Sequence, residues 1–157
     1  MVESMCDEKD DLSWLSYDPG ERRTKHKGNN HEPEFVRQGN GLIGKCPRTI
    51  DAGLAEGLLK NGIAHYPGED EVARTDPRGR PCPRRVFNVH EGAIYVAHPT
   101  RAEAGTFHGY PFDQQGDPKR GIPRAILRQL RERAEAQGHL RAFQEWVDQH
   151  TTERRRF

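Results

Sequence analysis

The stretch Arg84-Arg85-Val86-Phe87-Asn88-Val89-His90-Glu91-Gly92-Ala93-Ile94-Tyr95-Val96-Ala97-His98 decides the fold of this chain. Its β-branched and aromatic residues fall in two runs, 84–90 and 93–98, with only Glu91 and Gly92 between them. Two extended runs joined by two residues, one of them glycine, form a β-hairpin, because a tight primed turn needs positive φ. A two-residue loop also sets the register. His90 pairs with Ala93, so Val89 faces Ile94, Phe87 faces Val96 and Arg85 faces His98, these three pairs on one side of the sheet. That side is an apolar stripe ending in an arginine and a histidine. The other side carries His90, Asn88 with Tyr95, and Val86 with Ala97, polar enough to face water or a ligand.

Downstream of the hairpin, Thr106 to Tyr110 reads as a third strand pairing onto the second across the connection at 99–105. Upstream, a helix starts near Pro47 with Thr49 as its cap. Ile50, Leu54 and Leu58 recur at i, i+4 and i+8 until Asn61 and Gly62 stop it. After the strands, Pro123 opens a helix with the stripe Ile126, Leu127, Leu130 and Ala134, ended by Gly138; a further helix carries Leu140, Phe143, Trp146 and Val147 on one face. Residues 67–83, rich in proline, glycine and charge, read as a long exposed loop. The order helix, three strands, two helices predicts an α+β domain over 41–150: a small antiparallel sheet of about three strands, with the N-terminal helix and both C-terminal helices packed on one side. Residues 1–40 read as a disordered polar arm with one docking patch at Trp14, Leu15 and Tyr17, and 151–157 as a basic tail.

Of the 157 residues 32% are hydrophobic and 31% charged, which supports one thin core and not two. No run reaches the roughly 18 apolar residues of a membrane span, and Met1 to Asp11 is acidic where a secretory leader begins basic. The reading is a protein acting in the cytoplasm, of its own or a target cell, without a membrane partner; any export takes a route that needs no such leader. Three cysteines with no CxxC pair give no disulfide framework. The net charge of +1 hides a basic middle, where Arg74, Arg78, Arg80, Arg84, Arg85 and Arg101 face only Asp76 and Glu91. Such a stretch binds phosphates or is a solvated loop.

Fingerprints for dinucleotides, phosphate loops, HExxH zinc and EF-hand calcium are absent, and the Cys-Pro pairs at Cys46 and Cys82 lack nearby metal-ligating partners. No cofactor and no metal is therefore expected. Cys46 lies ahead of the first helix, where the positive end of the dipole favours a thiolate, so it is a candidate nucleophile or a small buried residue. His98 and His108 fall in the central strands with Arg85, Tyr95 and Tyr110. Metal-independent RNA cleavage needs a base for the 2'-hydroxyl, an acid for the leaving 5'-oxygen and a cation for the phosphorane charge. His98 and His108 are the candidate acid and base in either order, and Arg85 the phosphate cation. Tyr95 or Tyr110 would stack a base, and Lys45 and Arg84 are further phosphate ligands. The same histidines could instead be structural.

Pro47-Arg48-Thr49-Ile50, Leu58-Leu59-Lys60-Asn61-Gly62-Ile63, Arg85-Val86-Phe87, Gly92-Ala93-Ile94-Tyr95, Gly105-Thr106-Phe107-His108-Gly109-Tyr110-Pro111 and Ile122-Pro123 before Leu127-Arg128-Gln129-Leu130 together resemble C-terminal toxin domains of bacterial polymorphic and contact-dependent toxin systems. Among these the chain is most similar to ribonuclease domains related to the anticodon-cleaving colicins, with His108-Gly109-Tyr110-Pro111 the most distinctive piece. The resemblance implies a helix-plus-sheet fold, RNA as substrate with tRNA as one candidate, catalysis without metal, and a cognate immunity protein as partner. The chain departs from the pattern in starting with its own arm and in its long 67–83 loop. The competing expectation is a binding module of immunity, inhibitor or RNA-binding type.

Overall fold

The computed structural model describes residues 12–17, 33–38, 41–45, 50–66, 75, 77–114 and 121–151, with the backbone alone at 34, 36–38 and 41–45. Along the chain run β1 (Ser16–Tyr17), β2 (Glu34–Gln38), β3 (Gly41–Lys45), α1 (Ala52–Lys60), β4 (Ile63–His65), β5 (Arg85–His90), β6 (Ala93–Arg101), one 3-10 turn (Ala102–Ala104), β7 (Thr106–Pro111), α2 (Arg124–Ala136) and α3 (Leu140–His150). The hairpin has the register its two-residue loop demands, from His90 opposite Ala93 through Phe87 opposite Val96 to Val86 opposite Ala97. Glu91 and Gly92 both take positive φ, 52° and 85°, as a primed turn requires. Gly92 is also needed for space. A Cβ there would lie 2.6 Å from Cβ of Ala142 and 2.9 Å from the Phe143 nitrogen, so the turn sits directly on α3.

The sheet is larger than the three antiparallel strands expected, and it is mixed. Its order is β1-β7-β6-β5-β4, with β1 parallel to β7 and the other pairs antiparallel; β2 and β3 form a separate two-stranded sheet. The two strands missed, β1 and β4, are two and three residues long. At that length there is no alternation for a sequence to display; their partners in space define them.

The helices also divide between both faces of the sheet, where one shared side was expected. Phe87, Val89, Ile94 and Val96 pack with Leu127, Leu130, Phe143 and Val147 of α2 and α3. The alternate residues Val86 and Phe107 pack with Leu59 of α1 and with Leu12 and Leu15, while Tyr95 and Ala93 pack with Ile50. The second face is thus buried, although hairpin composition made it look polar. Asp51 caps α1 by accepting from the Leu54 N–H at 2.8 Å, two residues after Thr49, the cap expected; Thr49 and Cys46 lie outside the described residues.

Asn88 shows how a polar residue is accommodated on that face. It is 7% exposed; its side-chain amide donates to the Leu58 carbonyl at 2.8 Å, and its Oδ1 accepts from the Val89 N–H at 2.8 Å and from Arg133 at 3.2 Å. Arg133 also donates to the Asn61 carbonyl, and burial draws its pKa below the usual arginine value. One amide therefore ties α1, β5 and α2 together at the sheet's edge.

The docking patch assigned to the arm is built into the domain. Leu12 and Leu15 are buried, β1 pairs with β7, and Arg80 lies 4.5 Å above the Trp14 ring. At the end of the loop thought exposed, Cys82 is buried and its thiol donates to the Pro83 carbonyl at 3.5 Å. Leu15 is 1% exposed, so Leu15→Ala is expected to destabilise the fold by about 2–5 kcal/mol in chemical denaturation. An unchanged denaturation midpoint would place residues 12–17 outside the cooperative unit. No helix among the described residues is long and apolar enough to cross a membrane.

Candidate functional site

The sheet register brings four basic or titratable side chains into one row. His65 pairs with Arg85 between β4 and β5, and His98 pairs with His108 between β6 and β7. Arg85 and His98 stand one step beyond the Val86–Ala97 pair, so the row runs His65, Arg85, His98, His108 across four strands. Alternation puts all four on the face of Phe87 and Val96, the one carrying α2 and α3. Tyr110, opposite Val96, joins the same face beside the row.

Arg85 is 4% exposed and anchors one end. Its guanidinium lies 3.1 Å from Nδ1 of His65, donates to the Gly121 carbonyl at 3.2 Å and stacks 4.9 Å above the Phe87 ring. Guanidinium has donors only, so Nδ1 of His65 accepts and the hydrogen of that ring is on Nε2. At the other end, Nδ1 of His108 is 2.9 Å from the Thr100 hydroxyl. Thr100 is free to reach it because β6 bulges between Pro99 and Arg101. The rings of His98, His108 and Tyr110 lie 5.7–6.4 Å apart and are inclined to one another by 32° or less. All three are partly exposed, which gives the row an aromatic surface open to a ligand.

The residues expected to serve the site separate into two groups. Arg85, His98, His108 and Tyr110 are together. Tyr95 is not with them: it is 7% exposed, on the opposite face, packed with Ile50 and Ala93, and cannot stack a base bound at the row. Gly109 pairs with Ala97 and so presents its bare Cα to that opposite face, away from the histidines. Arg84 is half-buried just before β5, its N–H donating to the His65 carbonyl at 2.8 Å. Lys45 ends β3, where only the backbone is described. His65 and Gly121 are additions that sequence reasoning missed. The Asn61-Gly62 turn before Ile63-Ala64-His65 was the available signal for a short returning strand.

The arrangement can move protons and hold an anion. Two imidazoles side by side supply an acid and a base, and a buried guanidinium supplies a permanent positive charge beneath them. Among the described residues no three His, Cys, Asp or Glu side chains converge to hold a metal ion. No family model matches the chain, and no match to it was found among curated proteins or solved structures.

Proposed function

We propose that the chain is an endoribonuclease that cleaves RNA by general acid–base catalysis at the His98–His108 pair. The pairing of these two histidines in adjacent strands, with Arg85 and His65 continuing the row, is the observation that carries this reading. One imidazole takes the proton from a 2'-hydroxyl as its oxygen attacks the neighbouring phosphorus. The bond from phosphorus to the 5'-oxygen breaks, and the other imidazole protonates that oxygen. The products are a 2',3'-cyclic phosphate and a free 5'-hydroxyl. Tyr110, inclined by 17° to His98, extends a surface on which a base stacks.

Arg85 acts in this scheme from below. Buried and bonded to His65 and Gly121, it is a positioning residue whose charge offsets that of the developing phosphorane. Arg85→Lys keeps the charge but loses the planar guanidinium, one nitrogen of which, Nη2, meets both His65 and the Gly121 carbonyl. With its charge no longer held at the row, the variant is expected to cleave roughly tenfold more slowly, about 1.4 kcal/mol of lost transition-state stabilisation. A rate equal to that of the unaltered protein would remove Arg85 from the site.

The resemblance to toxin ribonucleases makes tRNA the first substrate to try and an immunity protein the partner to expect. The test is incubation of total tRNA with purified protein in excess EDTA, with product ends analysed for cyclic phosphate. Saturable binding without cleavage would instead support the RNA-binding module, in which the same rings and arginine only recognise the strand.

A further inference from the structure

Between Arg124 and Arg131, α2 holds three arginines and no carboxylate, and its first turn has no acidic residue. At about 100° per residue, Arg124, Arg128 and Arg131 fall within an arc of about 60°, forming one ridge that runs about 10 Å along the helix. Arg124 and Arg128 are exposed and Arg131 is half-buried. Like charges one turn apart weaken a helix, a cost that a carboxylate four residues on commonly offsets. Lys60 with Glu56 and Arg141 with Glu145 make such pairs elsewhere in the fold. Glu132 and Glu135 stand at that spacing, yet Arg128 and Arg131 form no ion pair among the described residues. The ridge is left as a line of positive charge.

Arg133 shows which way the ridge faces. At the same helical pitch it points about 140° to 180° away from all three of the other arginines. Its guanidinium reaches the Asn61 carbonyl, just ahead of the edge strand β4, and Asn88. The ridge therefore leaves α2 on the other side, toward β6 and β7, where His98, His108 and Tyr110 are partly exposed. The helix also starts at the row. The Gly121 carbonyl, three residues before Arg124, accepts from Arg85 at 3.2 Å, and from there α2 runs beside β5 toward Asn88. α3 turns back through Gly138 at the far end and sits on Gly92, so the N-terminal half of the ridge borders the rings of the row.

A line of cations beside a set of stacked rings suits a single-stranded nucleic acid, whose phosphates follow the charge while its bases stack on the rings. Bases within a duplex are already stacked on one another and leave such rings unused. An acidic protein surface would meet the arginines but gain nothing from three rings inclined by 32° or less beside them.

We propose that α2 is the track for the substrate's backbone: phosphates next to the cleaved one lie along Arg124, Arg128 and Arg131 while the bases stack on Tyr110 and the histidine rings. This rests on the row being an RNA site, and it makes the substrate single-stranded RNA longer than the two nucleotides that the chemistry itself requires.

A twelve-nucleotide 2'-O-methyl oligouridylate has no attacking hydroxyl, so its binding is read without cleavage. Its affinity for the full chain, from fluorescence anisotropy over a series of salt concentrations, is expected to fall with salt, the log–log slope carrying about 0.7 per phosphate neutralised. Arg124→Gln with Arg128→Gln should weaken binding at least tenfold at low salt and reduce that slope by about 1.4; adding Arg131→Gln takes the reduction to about 2. Should the half-buried Arg131 be needed for folding, the double variant carries the test. Arg141→Gln removes the same charge from α3, where the side chain is 94% exposed, and should leave affinity and slope in place. An unchanged slope in the double variant, an equal fall in Arg141→Gln, or no binding of the oligomer by the unaltered protein would each overturn the proposal. Failure of the ribonuclease reading has a different signature, in which the oligomer binds through α2 while tRNA stays intact.

Discussion

His108→Ala is expected to lower the rate of RNA cleavage by about 10²- to 10⁴-fold while leaving the melting curve nearly in place. The rate falls because one of the two proton transfers loses its donor or acceptor. The fold holds because His108 is partly exposed and the Thr100 hydroxyl it bonds at 2.9 Å is itself on an exposed residue. His98→Ala should behave alike, and the double variant should be little worse than either, since acid and base act as a unit. A structural histidine would show the opposite pattern, with a lowered melting temperature and near-normal cleavage by the folded fraction. Rate and melt must therefore be measured on the same preparations. If His108→Ala cleaves RNA normally, the ribonuclease reading loses its central residue.

Phe87→Ala carries the largest expected effect on stability, about 3–5 kcal/mol. Phe87 is 0% exposed, its ring meets Phe112 edge-on at 6.1 Å, and it supports the Arg85 guanidinium at 4.9 Å. Truncation opens a cavity in the main core and removes the surface on which Arg85 rests. The variant should therefore lose activity even at temperatures where it remains folded. Asn88→Ala makes the informative comparison, because hairpin composition alone predicts an almost silent change on a water-facing side. The bonds to Leu58, Val89 and Arg133 predict a loss of about 1–3 kcal/mol instead, from acceptors and donors left buried without partners. Urea denaturation of both variants checks the pair, and an Asn88→Ala midpoint equal to that of the unaltered protein would contradict the buried second face.

Whatever depends on neighbouring residues was legible in the chain. The Glu91-Gly92 turn and the alternation on either side of it determined the hairpin register, and with it that Arg85 shares a face with His98. The 3.6-residue stripe from Ile126 to Ala134 and the Gly138 stop determined α2, whose last residue is Ala136. Contacts between distant segments decided the rest. β1 exists only because Ser16 meets Thr106, and β4 only because His65 meets Arg85; strands this short have no pattern of their own. Tyr95 was a candidate because it falls in the central strands with the histidines, and it stands on the opposite face, packed with Ile50, because the hairpin register alternates there. The polar character of Asn88 and His90 was visible in one dimension. Which atoms would satisfy or bury them was determined by the packing of α1 and α2 around the sheet edge, where partners thirty and forty-five residues away converge on one amide.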